Sequence, residues 1–471
     1  MLLLATVHMR WPKGAAMDVD SKAHPAADDE QHHDGKDARG DAKKNPVIRF
    51  LRVLGPGLVT GAADDDPSGI ATYAQAGATY GNGLLWTVPV TLPLMMAVQE
   101  ICDRTALATG DSFGKLIRRK FDKGWRVAVI VLVVALIVAN CLNLSADLMA
   151  IGQGMEMIHA GPAPLWSAIA GVGIAVALIA GSFEWIGRIF KWLCLALLVY
   201  VGVLFVAHVK WGDVLVGLIG GQFHFTPAYL GLAVAVFGTT ISPYMFFWQT
   251  AQRIEEGRDE KLEGDRAPRL DDRTNKGAKR RLRSGRVDVF TGMVFSVLIM
   301  FAIIAATAAT LGAHHKTVTS AAAAAKALEP IAGTWAGALF AIGFIGSGIL
   351  AVPVLAASGS AGLAALLDKN WGLDKSPKKA PIFYLLLAVG IVAGTVLAIF
   401  VSNPIQLLVL SALVNGIAAG PFLVIMMLIG RDRRIMGKYR NRWLSQTIGW
   451  IATVVMCVGG AYGIWYTLAG G

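Results

Sequence analysis

The run from Leu51 to Ala63, the six residues Asp64-Asp65-Asp66-Pro67-Ser68-Gly69, and the run from Ile70 to Ala78 together decide the fold. Three acids sit between two mainly apolar stretches, and a proline follows them directly. The whole segment is long enough to cross roughly 30 Å of hydrocarbon. Pro67 lacks a backbone donor and clashes with the turn before it, so the helix is expected to break at the acids. A carboxylate near the bilayer centre is costly and marks a functional position by default. The bland alternative places the triplet at a helix end in the interface; the apolar runs on both sides argue against it.

Working outward, 55% of the 471 residues are hydrophobic and only 16% charged, and the charges come in blocks. That pattern is expected of repeated membrane spans. The net charge of +11 could point to nucleic acid, but the Lys and Arg fall in short blocks between uncharged runs, so no nucleic-acid partner is expected. Cys102, Cys141, Cys194 and Cys457 are too dispersed for a disulfide framework or thiolate cluster and read as packing residues. Met1 to Val7 is apolar but too short for a secretory core. Residues 1–46 are expected to be a disordered cytoplasmic tail, with His24, His32 and His33 solvated in it.

Uncharged runs of spanning length number about eleven. They fall near 53–76, 84–108, 127–150, 162–183, 188–209, 228–252, 288–312, 331–366, 382–402, 404–430 and 444–469. Basic residues alternate between the connections. Lys115 to Lys123, Arg188, Lys279 to Arg283, Lys378 with Lys379, and Arg431 to Arg434 lie on one set, expected to be cytoplasmic. An odd number of spans then puts the N-terminus inside and the C-terminus outside. The basic stretch 253–287 reads as a cytoplasmic loop, and 443–471 as an added C-terminal transmembrane helix.

The sixth span repeats the feature of the first: Ser242-Pro243-Tyr244 interrupts an otherwise apolar helix. Breaks five helices apart are what two inverted five-helix repeats produce, here about 51–210 and 228–430 within a core of 47–430. Unwound backbone at mid-membrane must line a cavity or be buried in protein, so the two breaks locate a candidate site. Asp66, beside the opening proline, is the first choice for a cation ligand. Asp64 and Asp65 point elsewhere at helical spacing, so at most one joins it, and Asp65 is kept as a candidate. Ser68, Gly69, Thr239, Ser242 and carbonyls freed by the breaks complete an all-oxygen set suited to hard ions. Met245 reads as packing. Asp147 is a candidate for an ion or proton pathway, or a hydrogen-bonded structural acid.

At these residues the chain resembles the NRAMP family of divalent metal transporters. The likeness rests on Gly55-Pro56-Gly57, Asp66-Pro67, Ala76-Gly77-Ala78-Thr79-Tyr80-Gly81 and Leu84-Leu85-Trp86, then Gln99, Arg104 and Thr109-Gly110. The resemblance implies an all-α integral membrane protein of LeuT-like plan, an inverted 5+5 repeat with broken helices 1 and 6. The departures are specific. The family's asparagine after Asp-Pro-Gly is absent, since Ser68-Gly69 follows Asp66-Pro67. Its methionine on the sixth helix is Ser242, and the following histidine is Tyr244, which marks Tyr244 as a candidate pathway residue. Its Asp-x-x-Glu pair appears as Asp147 with Ala150, its ninth-helix arginine is missing, and its tenth-helix glutamine is Ala412, with Asn415 one turn on as a further candidate. In these losses the chain is similar to the NRAMP-related magnesium transporters.

The expected function is therefore alternating-access transport of a divalent cation, magnesium or manganese, with weak or absent proton coupling, in a bacterial inner membrane. The alternatives are a proton-coupled manganese or iron symporter and, with less support, a sodium-coupled carrier of organic solutes. No HExxH, GxSxG or Walker pattern supports an enzyme, and no cofactor is expected; the metal ion is cargo.

Overall fold

The computed structural model describes residues 56–471, leaving out 122, 181–182, 208, 260–266, 313–335, 401–403 and 469–471. The expected N-terminal tail with its three histidines, and the connection 313–330, lie outside the described residues. Everything described belongs to one unit, Val53–Gly471. Among the described residues the secondary structure is entirely helical: α1 Pro56–Asp64, α2 Pro67–Tyr80, α3 Thr87–Thr109, α4 Phe113–Lys120, α5 Lys123–Met157, α6 Ala163–Ala180, α7 Phe183–Val206 and α8 Trp211–Leu218 in the first half. Then come α9 Pro227–Thr240, α10 Pro243–Asp259, α11 Asn275–Thr310, α12 Ala336–Leu366, α13 Pro381–Phe400, α14 Pro404–Arg431, α15 Arg433–Met436 and α16 Trp443–Leu468.

A helix or helix pair occupies each of the eleven expected stretches. By length and apolarity alone, eight described helices qualify as spans, or nine if the pair Pro67–Leu84 and Thr87–Thr109, bent by 110°, counts as one. Two expected spans account for the shortfall. The first is split into short halves, and the fifth contributes only Ala196–Phe205 as a shorter apolar helix.

Both breaks have the same local cause. Pro67 and Pro243 stand first in α2 and α10, where a missing N–H costs nothing. A polar residue precedes each. Asp66 caps α2 in extended backbone, φ −68° and ψ 166°, and accepts from the Gly69 N–H. Proline alone does not suffice, because Pro93, Pro353 and Pro421 lie inside α3, α12 and α14. The sixth span, with 94% of its apolar window buried, is central; the fourth, at 22%, is peripheral.

The first half-helix, α1, packs closely on α11. A Cβ on Gly61 would overlap the backbone of Gly292, so the crossing requires glycine. Gly173 on α6, in contrast, faces open space.

The basic segments gather at one end. Arg118 pairs with Asp368 at 2.6 Å, Arg258 with Asp374 at 3.1 Å, Lys438 with Asp271 at 3.1 Å, and Lys120 with Asp432. Such rim pairs contribute little each, but they bring together segments that the charge pattern assigns to one side. The stretch 253–287 departs from its expected loop. Residues 253–259 continue α10 and 275–287 begin α11, because Arg and Lys are good helix formers and several of these side chains find partners. Arg253, 4% exposed, is a hub that binds Asp103 of α3, Glu256 at 2.5 Å and Asp288 of α11 at 3.1 Å.

Two outcomes follow. Gly61→Val should cost about 1–3 kcal/mol and lower the midpoint of thermal unfolding in detergent, while Gly173→Val leaves it in place. Arg253→Ala strands the buried Asp103 carboxylate and should cost about 3–5 kcal/mol, a larger fall in the same midpoint.

Candidate functional site

Where α2 opens, the Asp66 carboxylate is held by three donors. Its Oδ1 accepts from the Gly69 N–H at 2.7 Å and the Ser68 hydroxyl at 2.6 Å. Its Oδ2 accepts from the Tyr244 hydroxyl at 3.3 Å, across from the second break. A second contact joins the breaks, with Ser68 Oγ and Thr239 Oγ1 3.4 Å apart. Gly69 permits this approach, since a Cβ there would stand 3.1 Å from Thr239 Oγ1. Asp66, Ser68, Thr239, Ser242 and Tyr244 are all fully buried, so the site is closed on every side.

Ser242 behaves differently from the expectation of carbonyls left free by the break. Its hydroxyl donates to the carbonyls of Gly238 at 2.9 Å and Thr239 at 2.8 Å, closing the end of α9. The Ser242 oxygen keeps its lone pairs as acceptors. Thr239 adds a hydroxyl beside Ser68, and the arrangement presents one carboxylate among neutral oxygens. Among the described residues no group of three or more His, Cys, Asp or Glu is placed to hold a metal. A cation here would be coordinated by Asp66, by hydroxyls and by water, as hard ions are.

The acid triplet divides. Asp64 and Asp65 are buried like Asp66 but turn to α11, where Ser296 Oγ lies 3.2 Å from Asp64 Oδ2 and 3.2 Å from Asp65 Oδ1. The structure thus separates Asp65 from the Asp66 cluster, since consecutive residues at the end of α1 project on different sides. Asp147, on α5, is fully buried with neither carboxylate oxygen partnered, and lies within electrostatic reach of Asp66 and Tyr244. Asn415, on α14, is likewise buried with its amide unpartnered. α14 packs on both α2 and α9.

Two residues escaped the sequence reading. Ser296 is one hydroxyl in a long apolar helix and gives no signal on its own. Asn143 is buried and unpartnered one turn before Asp147; the spacing Asn140, Asn143, Asp147 on one helical face was the available signal.

Comparison with known proteins agrees with this architecture. The family model "Natural resistance-associated macrophage protein-like" matches residues 57–466. The divalent metal cation transporter MntH of Deinococcus radiodurans is 25% identical over 468 residues, covering 96% of this chain and all of the relative. MntH of Bacillus subtilis is 23% identical over 422 residues, covering 88% and 92%. Among solved structures, a mutant of the Eremococcus coleocola manganese transporter superposes with a TM-score of 0.70 at 16% identity, covering 91% of this chain and 89% of that one. Mhp1, a nucleobase-cation-symport-1 family transporter, gives 0.54 at 15% identity, covering 88% and 91%. The fold is the LeuT-like inverted repeat with its first and sixth helices broken. With its family model covering nearly the whole described chain, this membrane protein belongs to the Nramp family.

Proposed function

We propose that this protein carries divalent metal cations across the bacterial inner membrane by alternating access, with Asp66 as the anchoring charge and magnesium or manganese as the favoured cargo. The observation that carries this reading is the meeting of both helix breaks on one buried carboxylate, through Ser68, Thr239 and Tyr244. The relatives' names, divalent metal cation transporter and manganese transporter, support the cargo class. The all-oxygen surroundings of Asp66 support a hard ion, since no thioether or imidazole stands at either break. Met245, next in sequence to Tyr244, is fully buried within α10.

The ligand set we assign is Asp66, Ser68 and Thr239, with the Ser242 oxygen behind them and Gly69 leaving the space. The closed site corresponds to an occluded step between inward and outward openings. The basic end belongs on the cytoplasmic side by the positive-inside rule, which places the N-terminus inside and the C-terminus, after α16, outside. Coupling to protons is weak or absent in this reading, because Tyr244 stands where the family's histidine would. A proton-coupled manganese or iron symporter is the second reading, favoured by Asp147, whose oxygens have no partner near Asp66.

Uptake into proteoliposomes decides between these readings. Wild type should take up magnesium and manganese, and Asp66→Ala should fall to the level of protein-free vesicles; unchanged uptake by the variant defeats the proposal. Metal-driven acidification of the lumen would establish the symporter instead. Ser242→Met places a soft ligand at the second break and should raise competition by cadmium or manganese against magnesium; an unaltered ion preference would remove Ser242 from the site.

A further inference from the structure

A groove at the basic end of the fold plays no part in the cargo site. Its floor is α3, on which both α11 and α16 pack, and those two helices form its walls. The space enclosed is about 410 Å³, within the range of small-molecule sites. The inner part is apolar, with Pro93, Met96 and Ala97 from α3, Val289 from α11, and Leu444 and Ile448 from α16. The outer part carries Arg286, the last basic residue of α11, and Arg442, immediately before α16.

The two arginines have donors to spare. Arg442 is exposed and forms no ion pair among the described residues. Arg286 reaches Glu100 Oε1 through Nε at 3.2 Å, which leaves the outer edge of its guanidinium to another acceptor. Glu100, the acid on this lining, is shared with the buried Arg104, so positive charge is in excess. Polarity is ordered along the helices. One turn on from Arg286, Ile448 and Pro93, away from the basic end, stand Phe290, Ile451 and Val90, at 50%, 50% and 38% exposure. Trp443, 77% exposed, marks the boundary, the depth at which amphipathic rings settle in membranes. The groove thus opens sideways to hydrocarbon and endwise to the headgroup region. A soluble anion would leave its apolar floor unfilled, and an uncharged chain would leave its arginines unanswered.

We propose that this groove holds one anionic phospholipid from the leaflet at the basic end, its phosphate taken by Arg442 and the outer edge of Arg286 and an acyl chain lying along α3. The excess of positive charge favours a lipid of net negative charge over a zwitterionic one, whose ammonium group would meet the same arginines. This inference does not depend on which ion Asp66 carries, and the two fail separately.

The test is native mass spectrometry of the full chain in detergent, titrated with phosphatidylglycerol, with phosphatidylcholine of the same acyl chains and glycerol 3-phosphate as comparisons. Wild type should bind one phosphatidylglycerol per chain more tightly than any further copy, phosphatidylcholine more weakly, and glycerol 3-phosphate not at all. Arg442 is exposed and its removal strands no acid, so Arg442→Ala leaves the fold intact and should weaken that first lipid about fivefold. Arg283→Ala removes the same charge one turn earlier on α11, outside the groove, and should leave it unchanged. Ser445→Phe fills the groove while keeping both arginines and should also weaken the first lipid. Unchanged affinity in Arg442→Ala or in Ser445→Phe, an equal loss in Arg283→Ala, or phosphatidylcholine bound as tightly as phosphatidylglycerol overturns the inference. Glycerol 3-phosphate bound as strongly as the lipid overturns it too, and assigns the arginines to a soluble phosphate.

Discussion

A carboxylate in a membrane interior must be neutralised or surrounded by donors, and Asp66 shows how far the protein alone can go. Its three donors, the Gly69 amide, the Ser68 hydroxyl and the Tyr244 phenol, orient it and satisfy lone pairs. None carries a full positive charge. The extended cap at Asp66 exists because Pro67 begins a new helix there, and the second break supplies Tyr244 and Thr239 from the opposite side. Among the described residues Asp66 has no cationic partner, so burial and the two interruptions together leave one uncompensated charge, the one our proposal gives to the passenger.

How much of this could be read from sequence depended on whether the cause was local. The breaks were legible because proline and a polar cap lie side by side at 66–67 and 242–243. Pro93, Pro353 and Pro421 show that the cap was the more informative half of the signal, since those prolines sit within continuous helices. The separation of Asp64 and Asp65 from Asp66 was legible in principle from helical geometry. Their destination was not, because it depends on Ser296 some 230 residues away. Serine and threonine in apolar helices more often bond back to their own helix, as Thr307, Thr310 and Thr453 do here. Nothing in sequence marks the exception. The helical form of 253–259 and 275–287 was hidden for a similar reason, since a charge-rich stretch is equally compatible with a solvated loop, and the partners that favour helix lie on α3 and α11.

The departures from the Nramp pattern acquire a common meaning in three dimensions. Ser242, in the place where the family carries a thioether, turns its proton back onto the carbonyls of α9 and leaves only its lone pairs for an ion. Tyr244, in the place of an imidazole, donates to Asp66. A phenol keeps its proton throughout the range in which an imidazole exchanges one. The same position therefore changes from a candidate proton carrier to a fixed hydrogen-bond donor. Proton movement, if it accompanies transport, has to use another group; among the described residues Asp147 is an acid outside the triplet within electrostatic reach of Asp66.

That reasoning also explains why the triplet is not redundant. If Asp66 is to exchange cargo, its surroundings must tolerate both the loaded and the empty state, and nearby permanent charge would bias that exchange. Asp64 and Asp65 lie on the chain immediately before it, yet they are turned away to α11 and share a donor there. With both acids ionised, that pair would strengthen the hold on any divalent cargo at Asp66 and slow its release. Turned to a shared hydroxyl on α11, the pair is kept out of the coordination of Asp66 although it adjoins it in the chain.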